Sequence, residues 1–332
     1  MNNTLRLDGT ITMLSPLSHI GESLGIDSYL STDIIIGPDG QPNECFLYSG
    51  NSFRGILRDA AAKYLLDHLG GIAIPVDAFH LLFSGGSIGG DQSIDIDQAR
   101  MYRKLLPMFS IFGGGVGNQI MEGKLKIGSM YPLVRECQRV LPEHLRQDGA
   151  PSWKEWTYEK SYTRRDDSKQ ENLRDYLVSD ETVKQLEVKE KPLLGEGKAP
   201  KKAKEGSATQ MRYTVELLAA GAVLYQRVHL QNLTALELGA FVSALEEFTK
   251  APYLGGKSGT GHGLCEIQYD YFLPGEKESK GKFLHVRENA LWLSQPAAEA
   301  KQEYDDFLLR QYNQYLKENA AELQQLLAGG TK

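Results

Sequence analysis

Seven apolar residues, Phe53, Ile56, Leu57, Ala60, Ala61, Tyr64 and Leu65, fall at i, i+3, i+4, i+7, i+8, i+11 and i+12. That spacing puts them on one stripe of an α-helix, which must be covered by another layer of structure. Asn51 or Ser52 is the expected cap and Gly70–Gly71 the stop. A second helix is expected from Thr234 to Lys250: Thr234 and Glu237 have capping-box spacing, and Leu236, Ala240, Phe241, Ala244, Leu245 and Phe248 share a face. The covering layer is written around these helices with period two. Leu5, Leu7, Gly9, Ile11 and Met13 alternate with polar neighbours, Gly123–Met130 does so through Leu125 and Ile127, and Leu264–Phe272 reads as a closing strand. Arg212–Leu230 holds two extended runs, expected to pair as a hairpin around Ala219–Ala222.

In chain order these segments read strand, helix, strand, strand, helix, strand. The expectation is an α+β chain built on a split βαβ, ferredoxin-like unit. Long insertions interrupt it at 71–120 and 131–211, and connections of that length in a compact domain are usually functional. A tail stripe of Tyr304, Phe307, Leu308, Tyr315, Leu323 and Leu326 is expected to dock as a helix on its own core or on a neighbour.

Charge narrows the function classes. The 332 residues carry 37 basic and 43 acidic groups, a net −6, which taken as a mean argues against a chain that coats itself in phosphates. The mean conceals segregation: Lys191–Arg212 holds six basic residues against two acids, whereas Pro296–Leu327 holds three against six. Within the first segment, Gly195–Gly206 lacks apolar periodicity and is expected to be a mobile basic loop. The longest apolar run, Leu217–Tyr225, is too short for a membrane helix, and the N-terminus has no basic lead into an apolar run, so the chain reads as soluble and cytoplasmic with no membrane partner. Cys45, Cys137 and Cys265 have no Cys-x-x-Cys pairing and no histidine at ligand spacing, and are expected to be small buried side chains.

Three glycine-rich segments, Ser49–Gly55, Phe112–Asn118 and Gly255–Gly263, leave two readings open: tight turns between packed elements, or backbone cradles for a phosphate-rich ligand. Gly256-Lys257-Ser258 is not a P-loop, because Ala251 stands where the motif needs glycine and a helix precedes it. Arg54 and Arg58 share a helix face, suited either to a phosphodiester or to pairing with an acid such as Asp59. No nucleophile elbow and no metal-spaced histidine pair is present. Asp27 and Asp33 are either ordinary surface acids or hard oxygen ligands for a divalent ion at a scissile phosphate.

Four segments in this order carry a resemblance: the strand Leu5–Met13 running into Ser15-Pro16-Leu17-Ser18-His19-Ile20-Gly21; Tyr48-Ser49-Gly50-Asn51-Ser52-Phe53-Arg54-Gly55-Ile56-Leu57-Arg58; Met108-Phe109-Ser110-Ile111-Phe112-Gly113; and Gly255–Gly263. Together they resemble the RAMP superfamily of CRISPR-associated proteins, and within it the repeated backbone subunit of multisubunit effector complexes. Ile111–Tyr131 is most similar to the type IV version. The resemblance implies a modified ferredoxin-like (RRM-like) palm from 1–70, 121–130 and 212–295, helical fingers at 71–120, a β-hairpin thumb with the basic loop at 131–211, and a C-terminal helix at 296–332. It further implies copies polymerising as a filament on a CRISPR (guide) RNA, alongside other CRISPR-associated subunits, to present the guide to a target nucleic acid, with DNA the expected target. RNA contacts are expected from His19, Asn51, Ser52, Arg54, Arg58, Gly113, Gly114, Asn118, Arg164, Arg165, Arg212, Lys257 and Ser258. No catalytic residue, metal or cofactor is expected. The alternatives are a metal-dependent endoribonuclease of the same fold using Asp27 or Asp33, and an unrelated enzyme acting on a phosphate ligand.

Overall fold

The computed structural model describes residues 3–86, 96–116, 119–163, 212–288 and 290–318. Arg164, Arg165, Asn118 and the Gly195–Gly206 loop lie outside them. The architecture is α+β.

Strand β1 (Asn3–Met13) runs through the middle of a seven-stranded sheet. Its alternation works as the sequence implies: Leu5, Leu7, Ile11 and Met13 are buried on the core face, while Arg6, Thr10 and Thr12 point the other way. Antiparallel to β1 on one side lies β12 (Val223–Leu233), with Leu7 opposite Val228; on the other lies β13 (Cys265–Phe272), with Ile11 opposite Ile267. Beyond β12 come β8 (Leu125–Ile127) and β9 (Tyr131–Pro132). Beyond β13 come β14 (Lys282–Arg287) and β15 (Ala290–Leu293). The four strands that bracket the two helices in sequence therefore lie in the spatial order β13-β1-β12-β8, fourth, first, third, second.

Three helices cover the core face. Helix α1 (Gly50–His68) buries Phe53, Leu57, Ala61, Tyr64 and Leu65, the expected stripe. Its cap is Ser49, not Asn51 or Ser52, which lie within the first turn. The first helical residue is glycine because a Cβ there would stand 2.6 Å from the Gly128 carbonyl oxygen just past β8. At the far end the Gly70 and Gly71 amides donate to Asp67 and Leu66 carbonyls, closing the helix as read. Helix α5 (Ala235–Thr249) has the expected reciprocal cap: Glu237 N–H donates to Thr234 Oγ1 at 3.2 Å and Thr234 N–H to Glu237 Oε2 at 2.8 Å. The C-terminal helix α6 (Gln295–Glu318) packs on α5 with Ala297, Ala300, Tyr304 and Leu308 buried, so this part of the tail docks on its own core, while Leu323 and Leu326 of the expected stripe lie outside the described residues. The two helices approach so closely that a Cβ on Gly239 would lie 2.1 Å from the Ala300 carbonyl oxygen.

The expected hairpin around Ala219–Ala222 does not form. Strand β11 (Arg212–Leu218) pairs instead with β10 (Thr157–Thr163) and, in parallel, with β3 (Asp27–Leu30), in a second sheet of order β10-β11-β3-β2, where β2 is Ile20–Leu24. Alternation fixes that a segment is extended but not which strand it meets, and here the chain changes sheets through Gly221, at φ 89°. The strand expected over Gly123–Met130 shortens to β8 for a related reason: Met130 turns to Tyr48 and exchanges backbone hydrogen bonds with it. Between α1 and β8 run the short helices α2 (Val76–Phe79), α3 (Ile96–Leu105) and α4 (Pro107–Phe112) and the ribbon β6–β7 (Gly114–Val116, Gln119–Met121). A separate ribbon pairs β4 (Thr32–Ile36) with β5 (Pro42–Phe46).

Candidate nucleic-acid interface

His19 is the hinge of one cluster. Its carbonyl accepts Ser31 N–H at 2.7 Å, its ring lies 4.3 Å from that of Tyr48, and its Nε2 accepts Ser49 N–H at 3.3 Å where α1 begins. Burial pushes the His19 pKa below its ordinary value, keeping the ring neutral and able to accept that bond. Tyr48, whose own pKa burial raises to about 12, accepts Gly255 N–H at 3.1 Å, and Gly256 N–H donates to Ser18 O at 2.8 Å. The segment after β1, the start of α1 and the Gly255–Gly263 loop are thereby tied together. Gly255 must be glycine: it sits at φ 72°, and a Cβ there would lie 2.1 Å from the Ser18 carbonyl oxygen. The Gly255, Gly256 and Gly263 amides are spent on the protein itself, so for them the tight-turn reading holds.

What the loop presents outward is Lys257. Held at φ 62° at the head of the short turn Ser258–Thr260, it carries its ammonium 4.5 Å from the centre of the Tyr213 ring and 5.9 Å from that of Tyr162. These two rings are cross-strand partners on β10 and β11, stacked at 5.3 Å and 17°. Lys160, two residues along β10, lies 5.4 Å from the Tyr162 ring. Buried His262 hydrogen-bonds the Tyr162 hydroxyl through Nε2 and meets its ring edge-on. Burial, then Lys160 and Lys257, push the His262 pKa down. Arg212, exposed, faces Thr163 at the open end of the ladder, which brackets residues 164–211. The result is a stacked tyrosine pair ringed by cations, an arrangement suited to a nucleobase and its flanking phosphates. Tyr162, Tyr213 and Lys160 are absent from the residues expected from sequence. Their signal was the alternation of tyrosine with basic residues through Tyr158–Thr163 and at Arg212-Tyr213, which becomes a platform only once the ladder sets these strands in register.

Arg54 and Arg58 form a second group. Both donate to the Phe112 carbonyl, Arg58 at 2.9 Å, and Arg58 also reaches Gly113 O at 3.3 Å. They line a cleft of about 400 Å³ with Gly85, Gly86, Gly114 and Gly115. Burial and the neighbouring Arg54 hold the Arg58 pKa below its ordinary value. The two arginines thus cap the carbonyl end of α4, while Gly113 and Gly114 serve close backbone packing: a Cβ on Gly113 would lie 2.4 Å from Met121 O. Asn51 and Ser258 are exposed, Ser52 half-buried. The structure brings His19, Asn51, Ser52, Lys257 and Ser258 to one region and Arg54, Arg58, Gly113 and Gly114 to the other.

Asp27 and Asp33 lie in different sheets, Asp27 opposite Thr214, Asp33 accepting its neighbour Ile34 N–H at 2.8 Å. Among the described residues, no three His, Cys, Asp or Glu side chains stand close enough to hold a metal ion.

No family model matches the sequence, and no curated protein matches it. Among solved structures, a chain described as "Type IV-B CRISPR Complex" shares the fold: the TM-score is 0.51 at 23% sequence identity, covering 82% of this chain and 93% of that one. No described helix is long and apolar enough to cross a membrane.

Proposed function

We propose that this chain is a guide-RNA-binding backbone subunit of a type IV-like CRISPR effector complex, polymerising along the guide and presenting it to a nucleic-acid target, DNA in the expected case. The observation that carries the reading is the Tyr162–Tyr213 stack with Lys257 and Lys160 against its rings. Stacked rings offer a π-face to any base, and ammonium groups beside them neutralise the phosphates on either side, so the grip is strong and indifferent to sequence. A subunit that must hold every position of a guide needs that indifference.

The same reading organises the fold. The β13-β1-β12-β8 order with α1 and α5 behind it serves as a ferredoxin-like, RRM-like palm. Residues 71–120 act as helical fingers, and 131–211 as the thumb, whose root is the β10–β11 ladder. The shared fold with a chain of a type IV-B CRISPR complex supports assembly with further copies and other subunits. The chain acts as a binding subunit and not as an enzyme. The test is binding of single-stranded RNA by the purified protein and its loss when Lys257 and Tyr213 are replaced together.

A further inference from the structure

The outward face of the seven-stranded sheet is separate from all of this. Register lays cross-strand rows upon it. Lys126, His229, Arg6 and Phe272 stand side by side on β8, β12, β1 and β13. Two residues along, Arg227 stands opposite Asp8. Two further, Tyr131, Tyr225, Thr10, Gln268, His285 and Trp292 cross six strands. Asp8 is buried and anchors both arginines: Arg227 is bidentate at 2.7 and 3.2 Å, and Arg6 Nε lies 3.3 Å away. Arg6 lies 4.0 Å from the centre of the Phe272 ring and Arg227 6.0 Å from that of Tyr225, both rings buried, and the Arg227 side chain is 45% exposed. Beside Arg227, on the β8 and β9 side of β12, is a cavity of about 400 Å³ lined by Lys126, Tyr131, Tyr225, Arg227 and His229 together with aliphatic carbon; no carboxylate is among its described lining residues. The other acids of the face are Glu266, paired with Arg287, and Asp270, while Glu122 reaches Lys126 from outside it. Trp292 is 54% exposed.

We infer that this face is a second binding surface for single-stranded nucleic acid. The exposed Trp292 ring and the half-buried Tyr131 ring stack unpaired bases, and Lys126 and Arg227 meet the phosphates. A duplex would hide its base faces from such a shallow platform. The Arg6 row lies toward the opposite end of the strands from the Lys257 loop, which enters β13 at Cys265, opposite Met13 and about 23 Å of strand from Arg6, and the Thr10 row lies about 10 Å from that entry on the same strands. It does not depend on the function proposed above.

The test titrates a short labelled single-stranded RNA into the full chain freed of nucleic acid, following anisotropy. Wild type is expected to take two strands per chain. Lys126→Glu with His229→Ala, both exposed and outside the Asp8 anchor, weakens one site about tenfold or more, while Lys126→Arg alone retains it. Photocrosslinking of a bromouridine strand is expected to mark peptides containing Tyr131 or Trp292. Lys257→Gly with Tyr213→Ala removes only the other site. Unchanged stoichiometry and affinity in the Lys126–His229 variant, with no crosslink to this face, would overturn the inference and leave the face to a protein partner. Loss confined to the Lys257–Tyr213 variant contradicts this inference alone; loss confined to the Lys126–His229 variant contradicts only the function proposed above.

Discussion

The Lys257 ammonium stands 4.5 Å from the centre of the Tyr213 ring, bringing a glycine-rich loop onto a strand ladder 44 residues away in sequence. Because Lys257 holds φ at 62°, glycine fits its backbone with less strain than lysine does. Lys257→Gly is therefore expected to leave the melting temperature unchanged or slightly higher while RNA affinity falls by about 1–2 kcal/mol. Anisotropy and thermal melts on the same samples check both halves. A variant that keeps full affinity would make Lys257 a packing residue only.

Gly239 tests the helical layer. A Cβ there would lie 2.1 Å from the Ala300 carbonyl oxygen, a backbone atom that cannot step aside without moving α6. Gly239→Ala is expected to lower unfolding free energy by about 2–3 kcal/mol. Denaturant titration of both proteins measures it, and a loss below the error of that titration would mean that α6 does not pack on α5 as described.

Stability should depend on pH through two histidines. Burial pushes His19 and His262 below the ordinary value of 6.5, so in the window beneath it the unfolded chain binds more protons than the folded one. Their contribution is complete above 6.5 and is lost as pH falls toward the folded values; it lies above the carboxylate window of Glu136 and Glu247, whose pKa values are held below 4.5. His262→Gln is expected to flatten the slope between about pH 7 and 5.5, and an unaltered slope would place His262 in contact with water.

Much of this was legible in the sequence where the signal is local. Helix α1 and α5 are written in stripes and stops within a few residues of one another, and the alternation of β1 survives intact. Pairing is not local. Residues 212–230 read as a hairpin because nothing in them says that β11 will turn to β10 and β3. Arg54 and Arg58 likewise read as free for phosphate or Asp59, since the carbonyl they hold belongs to Phe112, 58 and 54 residues on. Lys257 was visible as a cation in a glycine loop, but its aromatic partners depend on a register that no short window contains.

Asp27→Asn with Asp33→Asn is expected to leave RNA binding unchanged, because neutralising acids near phosphate removes no attraction. Incubation of the wild type with magnesium and a complementary RNA should leave that RNA intact on a denaturing gel. Cleavage by the wild type that the double variant lacks would make the chain a nuclease.

The central claim is that this chain holds guide RNA. Its most direct test is to purify the protein from cells that express a CRISPR array, measure the ratio of absorbance at 260 nm to that at 280 nm, and sequence the nucleic acid it carries. The account predicts oligomers with a high ratio, carrying RNA that maps to the array, and their loss in Lys257→Gly with Tyr213→Ala. Monomers free of nucleic acid, indifferent to added single-stranded RNA, would contradict it.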